Sequence, residues 1–580
     1  MAVIAEGVDP SRLRLEDAMS TGVVSARESD ALAGPPCPAA ELTPERQRRL
    51  VRALIERLGQ DGAPVRHVET HISHVLLHGG LAYKFKKALA TPYLDQSTLA
   101  RRRAACAEEL RLNRRLAPDT YLNVVAVTGS DARPELGGDG PVLDVAVRMR
   151  AFDEDGLWDR LAARGELRAA DVDELAVRLA GFHQSAAVAP PQGPWGTPAQ
   201  VRPALCDSLR ELLAPTALVA PRALDRAALE RLQRWEAEAY PRLQAVIAQR
   251  LAAGRVREGH GDLHLGNVAR EAGRCLVFDG IEFDPGLRWI DVMSDVAFMA
   301  MDLQAHGLPA LAHRFVNAYL EASGDYEGLR VLGYYLVHRA LVRAKVALMR
   351  AGQTAGAERD QALQAVRRYV HLAVGCAMPR PRALLVTHGL SGSGKTTLTQ
   401  DLLETLGAPR VRADVERKRL GGLGALQPSG SPPGGGLYVS AISQATYQRL
   451  FTAAAAALEG GGPVILDAGF LRLADRASAR RIAAAHGVPF VILHFEAPPA
   501  LLRRRLRERA ARAADASEAD ESVLVLQLQT QEPLLPAERA LSHTVTASAS
   551  PTAPQRVDWA PLLDRLRRNH LGNGARPAAA

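Results

Sequence analysis

The sequence predicts two folded units in series: an α+β unit in which a small strand-rich lobe precedes a helical lobe, then an α/β unit on a mostly parallel sheet. Three observations predict it. Val65 to Lys86 alternates with the period of two expected of strands, and strands resume at the apolar run Val124-Val125-Ala126-Val127 and from Val142 to Met149. Residues 154 to 250 read as mostly helical, broken at Pro190-Pro191-Gln192-Gly193-Pro194. Beyond Pro379-Arg380-Pro381, the apolar run Ala383-Leu384-Leu385-Val386 enters a glycine-rich loop and a helical pattern from Leu398 to Leu406, and strands and helices alternate from there.

Along the chain, residues 1–42 mix Gly, Pro, Ala and scattered charge and end near Gly34-Pro35-Pro36-Cys37-Pro38, which predicts a disordered leader with packing beginning near Leu42. Residues 44–58 carry a helical pattern. Gly79-Gly80 supplies a hairpin turn into Leu81-Ala82-Tyr83-Lys84-Phe85. A long helix is expected from Ser97 to Leu116, stopped by Pro118. These readings divide the chain into a leader (1–42), a first domain (43–378), a second domain (379–570) and a loose Ala-rich tail (571–580). No fixed-period repeat is visible, so solenoids and propellers drop out.

The chain is 47% apolar and 23% charged, as a multidomain globular protein should be. No window approaches the roughly 18 apolar residues of a membrane span. The first residues, with Glu6, Asp9, Glu16 and Asp17, lack the apolar centre of a signal peptide, so no membrane partner and a cytoplasmic location are expected. Five cysteines (Cys37, Cys106, Cys206, Cys275, Cys376) are scattered singly, with no C-x-x-C pair and no His cluster at zinc-ligand spacing, which argues against disulfides and structural zinc. The net charge of +8, set against 72 basic and 64 acidic residues, suits acidic small molecules as well as nucleic acid. Only six basic residues are lysine: Lys84, Lys86, Lys87, Lys345, Lys395 and Lys418. A compact ammonium does a different job from a planar guanidinium, which directs attention to those positions.

The segment Gly389-Leu390-Ser391-Gly392-Ser393-Gly394-Lys395-Thr396 is a complete G-x-x-x-x-G-K-[ST] phosphate loop between a strand and a helix, followed by Thr397. Glycines let successive N–H groups converge on phosphate oxygens, Lys395 reaches the outer phosphates, and the Thr396 hydroxyl is offered to Mg²⁺. The positive end of the following helix points the same way. The ligand is therefore ATP or a similar nucleotide. Further on, Val464-Ile465-Leu466-Asp467-Ala468 is a buried-strand run ending in a carboxylate, which makes Asp467 a second candidate for the metal.

A separate constellation lies upstream. His260-Gly261-Asp262-Leu263-His264-Leu265-Gly266-Asn267 precedes the strand-like Cys275-Leu276-Val277-Phe278 and then Asp279. Phosphoryl transfer to a hydroxyl needs one carboxylate to orient the attacking group, and an Asn oxygen with a second carboxylate to hold Mg²⁺. Asp262, Asn267 and Asp279 suit those roles in order. The pattern resembles the catalytic and metal motifs of the aminoglycoside phosphotransferase and choline kinase-like group, which implies a protein-kinase-like fold for the first domain. The resemblance also implies a supporting role for Asp291-Val292-Met293-Ser294-Asp295-Val296-Ala297, a phosphate-binding Lys84 in Ala82-Tyr83-Lys84, and Glu109 as its helical partner. Lys86, two residues on and on the same strand face, competes with Lys84 for that role. The sequence departs from the kinase pattern in one place: no G-x-G-x-x-G precedes the lysine, and the corresponding turn reads Glu69-Thr70-His71-Ile72-Ser73-His74.

The second domain resembles phosphate-loop kinases of small metabolites, which implies that Asp414, in Arg412-Ala413-Asp414, faces the acceptor hydroxyl. Arg503, Arg504, Arg505, Arg507, Arg509 and Arg512 crowd one helix, with Arg505, Arg509 and Arg512 on one face, so Arg505 and Arg509 are candidate phosphate ligands in a lid, and a solvated basic helix is the alternative. Residues 45 to 570 as a whole resemble bacterial fusions of an aminoglycoside phosphotransferase-like domain with an ATP-binding domain. The reading is an ATP- and Mg²⁺-dependent phosphotransferase with two nucleotide sites and an unidentified small-molecule acceptor. A regulatory ATPase or switch protein, and a kinase of polynucleotide ends, are the alternatives. With 5% aromatics, single-strand stacking has little to work with.

Overall fold

A computed structural model describes residues 42–91, 94–214, 225–432, 434–512, 515–546 and 557–573. The expected leader, up to residue 41, and residues 574–580 of the expected tail lie outside the described residues, whereas residues 571–573 close a helix, Ala560–Asn573. The described residues form two compact units, one within residues 42–114 and 118–152, the other within residues 115–117 and 153–573.

The first unit is an antiparallel sheet with two helices. Its strands are β1 (Arg66–Glu69), β2 (Ser73–His78), β3 (Leu81–Lys86), β6 (Tyr121–Ser130), β7 (Arg133–Leu136) and β8 (Asp144–Arg150), in the order β1-β2-β3-β8-β6-β7, with a small ribbon of β4 (Ala90–Thr91) and β5 (Leu94–Asp95) beside them. Gly79 (φ 57°) and Gly80 (φ 75°) make the expected β2–β3 turn in the left-handed region that glycine adopts without strain. Helix α1 (Pro44–Leu58) starts where the Thr43 hydroxyl accepts the Arg46 N–H, and α2 (Leu99–Asn113) where Thr98 does the same for Arg101. Leu50, Leu54, Leu76, Tyr83, Phe85, Val127 and Ala146 fill the core. Helix α2 ends short of the expected Leu116, because Pro118 drives Ala117 out of helical backbone and the last turn unwinds. Strand β7 was not expected, since its Pro134 and charged residues mask the alternation; as an edge strand it tolerates a residue without an N–H.

The second unit begins with helices. These are α3 (Trp158–Ala163), α4 (Ala169–Ser185), α5 (Pro198–Leu213), α6 (Arg226–Ala252), α7 (Pro285–Arg288), α8 (Val292–Ala305), α9 (Pro309–Ser323), α10 (Leu329–Gln353) and α11 (Gly356–Ala377). Two short ribbons are set among them: β9 (Val256–Glu258) with β12 (Trp289–Asp291), and β10 (Val268–Glu271) with β11 (Arg274–Val277). A five-stranded sheet follows in the order β14 (Arg410–Arg412), β15 (Val464–Asp467), β13 (Leu384–His388), β16 (Phe490–Glu496), β17 (Ser542–Thr546), and every ladder in it is parallel. All residues of β13 and β15 are buried, as a sheet covered on both faces requires. Helices α12 (Lys395–Leu398), α13 (Gln400–Leu406), α14 (Ala413–Leu420), α15 (Ser440–Glu459), α16 (Leu473–Ala485), α17 (Pro499–Arg512) and α18 (Glu521–Thr530) connect the strands. The expected order of architecture, an α+β part with a strand-rich lobe before a helical one and then an α/β part on a parallel sheet, is the one observed.

One apolar core runs through the second unit, joining Leu332 and Val337 of α10 to Val386, Leu466 and Ile492 of the parallel sheet. Helix α9 also holds the sheet by polar contacts: Asn317 accepts the Arg410 N–H at 2.7 Å, Arg314 pairs with Glu404 at 2.8 Å, and Glu321 with Arg412 at 3.1 Å. The helix after the phosphate loop is interrupted at Thr399. The Arg410 guanidinium donates to the Thr396 carbonyl, and the Thr399 hydroxyl donates at 2.8 Å to the Lys395 carbonyl, which also accepts the Thr399 N–H at 3.1 Å. No helix among the described residues is long and apolar enough to cross a membrane.

Candidate functional site

The loop from His260 to Asn267 leaves β9 and is clamped by two carboxylates of α8. Asp295 accepts the N–H groups of His260 at 2.8 Å and Gly261 at 2.9 Å, and Asp302 accepts that of Leu265 at 3.0 Å. Residues seven apart sit two helical turns apart on one face, so one helix reaches both ends of the loop. Asp295 is in turn 3.2 Å from His183 Nε2, and His183 Nδ1 lies 2.8 Å from the Tyr319 hydroxyl of α9. Tyr369 donates to Asp302 at 2.8 Å.

Within this clamp Asn267 Nδ2 donates to the Asp262 carbonyl at 2.9 Å and to its Oδ2 at 3.1 Å. Asp262 and Asn267 are therefore brought together, with the Asn267 Oδ1 atom left on the other side of the amide. His264 Nδ1 accepts the Gly266 N–H at 3.1 Å, which puts its ring proton on Nε2, 3.4 Å from Asp262 Oδ2. Burial pushes the Asp262 carboxyl up, but His264, Arg343 and His260 outweigh it and hold the group well below the usual carboxylate range. It is an anion at neutral pH, able to accept a hydrogen bond from a hydroxyl. Asp279 follows β11 with φ at 62°, a left-handed backbone that Asp tolerates better than most residues. It lies close enough to His260 to favour the charged imidazole, although burial wins and lowers the His260 pKa.

In the first unit, Glu109 of α2 is fully buried between Lys84 (2.9 Å) and Lys86 of β3, its carboxyl pushed up by burial yet held at about 2 by the two ammonium groups. Cross-strand alternation places both lysines on one face, and burial distinguishes them: the Lys86 side chain is 0% exposed and that of Lys84 is 12%. Lys84 is the one with an outward side.

The phosphate loop has the shape its glycines require. Gly389, Gly392 and Gly394 have φ of 149°, 82° and 90°, and a Cβ at Gly392 would stand 2.9 Å from the Leu502 carbonyl. Lys395 folds back on the loop, donating to the carbonyls of Gly389 and Leu390 at 2.9 Å each, and burial lowers its pKa. Thr396 donates to Asp467 Oδ2 at 2.6 Å, so strand β15 and the helix start share one point. The Ser393 hydroxyl is buried with no hydrogen-bond partner among the described residues, as a phosphate ligand awaiting its anion would be. The chain therefore fits a nucleotide with its Mg²⁺ here: loop amides, Lys395 and Ser393 for phosphate, Thr396 and Asp467 for the ion. Thr397 is exposed at the first turn of α12.

The lid candidates divide. Arg505 Nη1 lies 3.3 Å from the Ser393 carbonyl and 3.4 Å from that of Gly392, at the loop itself, whereas Arg509 donates to the Ala519 carbonyl and fixes the turn between α17 and α18. The Arg512 side chain lies outside the described residues. Asp414 accepts from Arg417 at 3.2 Å and sits close enough to Lys395 to favour its charged form. Two contributors were not anticipated. Gln527 of α18 accepts the Ser391 N–H at 2.8 Å, and Arg410 braces Thr396, Thr399 and Gln400 from beneath. Asp302 had a signal, its spacing of seven from Asp295; Arg410 and Gln527 had none.

Residues 384–534 match the family model described as an AAA domain. The uncharacterized proteins Rv2004c of Mycobacterium tuberculosis (strain H37Rv) and Mb2027c of Mycobacterium bovis are each 30% identical over 455 residues, covering 77% of this chain and 87% of the relative. The chain belongs to the family of these mycobacterial proteins. Among solved structures, a choline/ethanolamine kinase family protein from Mesorhizobium loti covers 58% of this chain and 99% of its own (13% identity, TM-score 0.35). Aminoglycoside 2'-phosphotransferase-IIIa covers 55% and 97% (14%, 0.34), and a gluconokinase from Sinorhizobium meliloti 34% and 99% (21%, 0.23).

Proposed function

We propose that the protein is an ATP- and Mg²⁺-dependent phosphotransferase acting on a small-molecule hydroxyl, with one nucleotide site in residues 43–378 and a second in residues 379–570. The observation that carries the reading is the contact of Thr396 with Asp467 at the mouth of a glycine cradle whose Ser393 hydroxyl has no hydrogen-bond partner among the described residues. When bound, Mg²⁺ neutralises charge on the phosphate oxygens. The loop amides and Lys395 hold the phosphates, Thr396 and Asp467 hold the ion, and Asp414 orients the acceptor. At the other site Asp262, anionic and steadied by Asn267, accepts the hydrogen bond of the attacking hydroxyl, while Asn267 Oδ1 and Asp279 hold the ion.

Calorimetry of ATP·Mg²⁺ binding tests this on the full chain. Wild type should show two binding events, and Asp279→Asn, which removes a proposed ligand of the ion, and Lys395→Ala should each weaken a different one at least tenfold. Identical isotherms for all three proteins would refute the two-site reading. A switch protein is the second reading, favoured by α9, whose Tyr319 reaches the His183–Asp295 clamp and whose Asn317 reaches the strand that braces the phosphate loop. Acceptor-dependent ADP release from a metabolite extract supports the first reading; its absence, with both sites binding, supports the second.

A further inference from the structure

The hairpin of β1 and β2 carries a group of side chains that the phosphotransfer chemistry does not use. His67 and Glu69 alternate on β1 and so share a face, and the register places His74 of β2 directly opposite Glu69. His67 Nε2 and His74 Nδ1 lie 3.1 Å apart, and one ligand atom from each of the three residues falls within 4.8 Å of the others. Sequence spacing hides this set, because the strand pairing, not a short helical repeat, brings the third ligand in.

We propose that His67, Glu69 and His74 bind a divalent transition ion of the zinc type. Nitrogens 3.1 Å apart, each about 2.0–2.1 Å from a common ion, subtend about 98° at it, between the octahedral and tetrahedral angles. Two imidazoles and one carboxylate suit Zn²⁺, Co²⁺ or Ni²⁺ and not Mg²⁺, which takes oxygen ligands, so this site is chemically distinct from the nucleotide sites. Without the ion, the two rings share a hydrogen bond through those same nitrogens. Glu69 is not idle in the meantime: Lys87 Nζ sits 2.7 Å from its Oε1. The ion and the Lys87 ammonium compete for that carboxylate, so the site has a built-in antagonist. An ion there ties β1 to β2 on either side of the Thr70–Ile72 turn.

The test is titration of the full-length, chelator-treated protein with Co²⁺, followed by visible absorption, and with Zn²⁺ by calorimetry in excess Mg²⁺. One ion should bind, with the ligand-field spectrum of mixed nitrogen and oxygen donors. His67→Gln, at an exposed position, should weaken binding at least tenfold, as should His74→Ala. Lys87→Met should strengthen it several-fold by removing the competitor. Absence of Co²⁺ and Zn²⁺ uptake by wild type, equal uptake by His67→Gln, or displacement of the ion by Mg²⁺ would each overturn the proposal. No arm depends on ATP, so failure here is separable from failure of the phosphotransferase reading.

Discussion

Replacing Asp295 by Asn perturbs the Asp262 loop without touching a residue assigned to chemistry. Asp295 is fully buried and accepts the N–H groups of His260 and Gly261, with His183 Nε2 at 3.2 Å. Burial pushes its carboxyl up, but His183, His260 and Arg339 outweigh it and hold the pKa at about 2, against an ordinary 3.8. A difference of about two units corresponds to about 2–3 kcal/mol in favour of the anionic native state. A depressed carboxyl contributes its full stabilisation above the unfolded value of 3.8 and loses it as the pH falls toward about 2. Asparagine cannot carry that charge, and its amide turns N–H toward one of the donors, leaving a buried group unpaired at about 1–3 kcal/mol. These contributions overlap, so the expected cost of the substitution is about 2–4 kcal/mol. Hydrogen exchange read by mass spectrometry at neutral pH should show the backbone of residues 259–265 exchanging at least about 30-fold faster in the variant, the factor equivalent to about 2 kcal/mol. The stability difference between the two proteins should narrow between about pH 4 and pH 2. Exchange in this segment within threefold of wild type would refute the claim that Asp295 holds the loop.

Two further substitutions test the other clusters. Glu109→Gln leaves the buried ammonium of Lys86 and that of Lys84 without their anion, and should destabilise the first unit by about 3–5 kcal/mol, read as a lowered unfolding midpoint or early proteolysis within residues 42–152. A midpoint equal to that of wild type would show that the pair is dispensable. Gly392→Ala forces a side chain into left-handed backbone and against the Leu502 carbonyl, and should weaken the Lys395-dependent ATP event at least tenfold. Gly422→Ala, with φ at 71° but open space around it, should cost about 1 kcal/mol and leave that event unchanged. Equal effects of the two would assign the loss to backbone strain alone.

The legible parts of the site were those that chemistry keeps contiguous. Residues 389–396 are contiguous because a phosphate loop works through consecutive amides, and His260 to Asn267 because in the proposed site one turn presents both the orienting carboxylate and a metal ligand. Asp467 was legible as the end of a fully apolar strand, and the contact with Thr396 follows from parallel pairing of β13 with β15. The choice between Lys84 and Lys86 was not legible, since residues two apart share a face; only their unequal burial separates them. Nor was the role of Arg410. Its partners Thr396, Thr399 and Gln400 lie within fourteen residues, but Asn317, which fixes its backbone, is 93 positions away.

The sequence by itself determined the order of lobes, the parallel sheet and the positions of the two segments proposed to handle phosphate, because periodicity, glycine placement and short motifs are local properties that survive without knowledge of neighbours. The tertiary structure decided what surrounds them: the two α8 carboxylates under the Asp262 loop, the grip of α9 on the strand beside the phosphate loop, and the pairing of His67 with His74 across a hairpin. Each joins residues whose proximity depends on strand register or helix packing. Such contacts are selected by the summed burial of a whole core, and no short stretch of sequence encodes that sum.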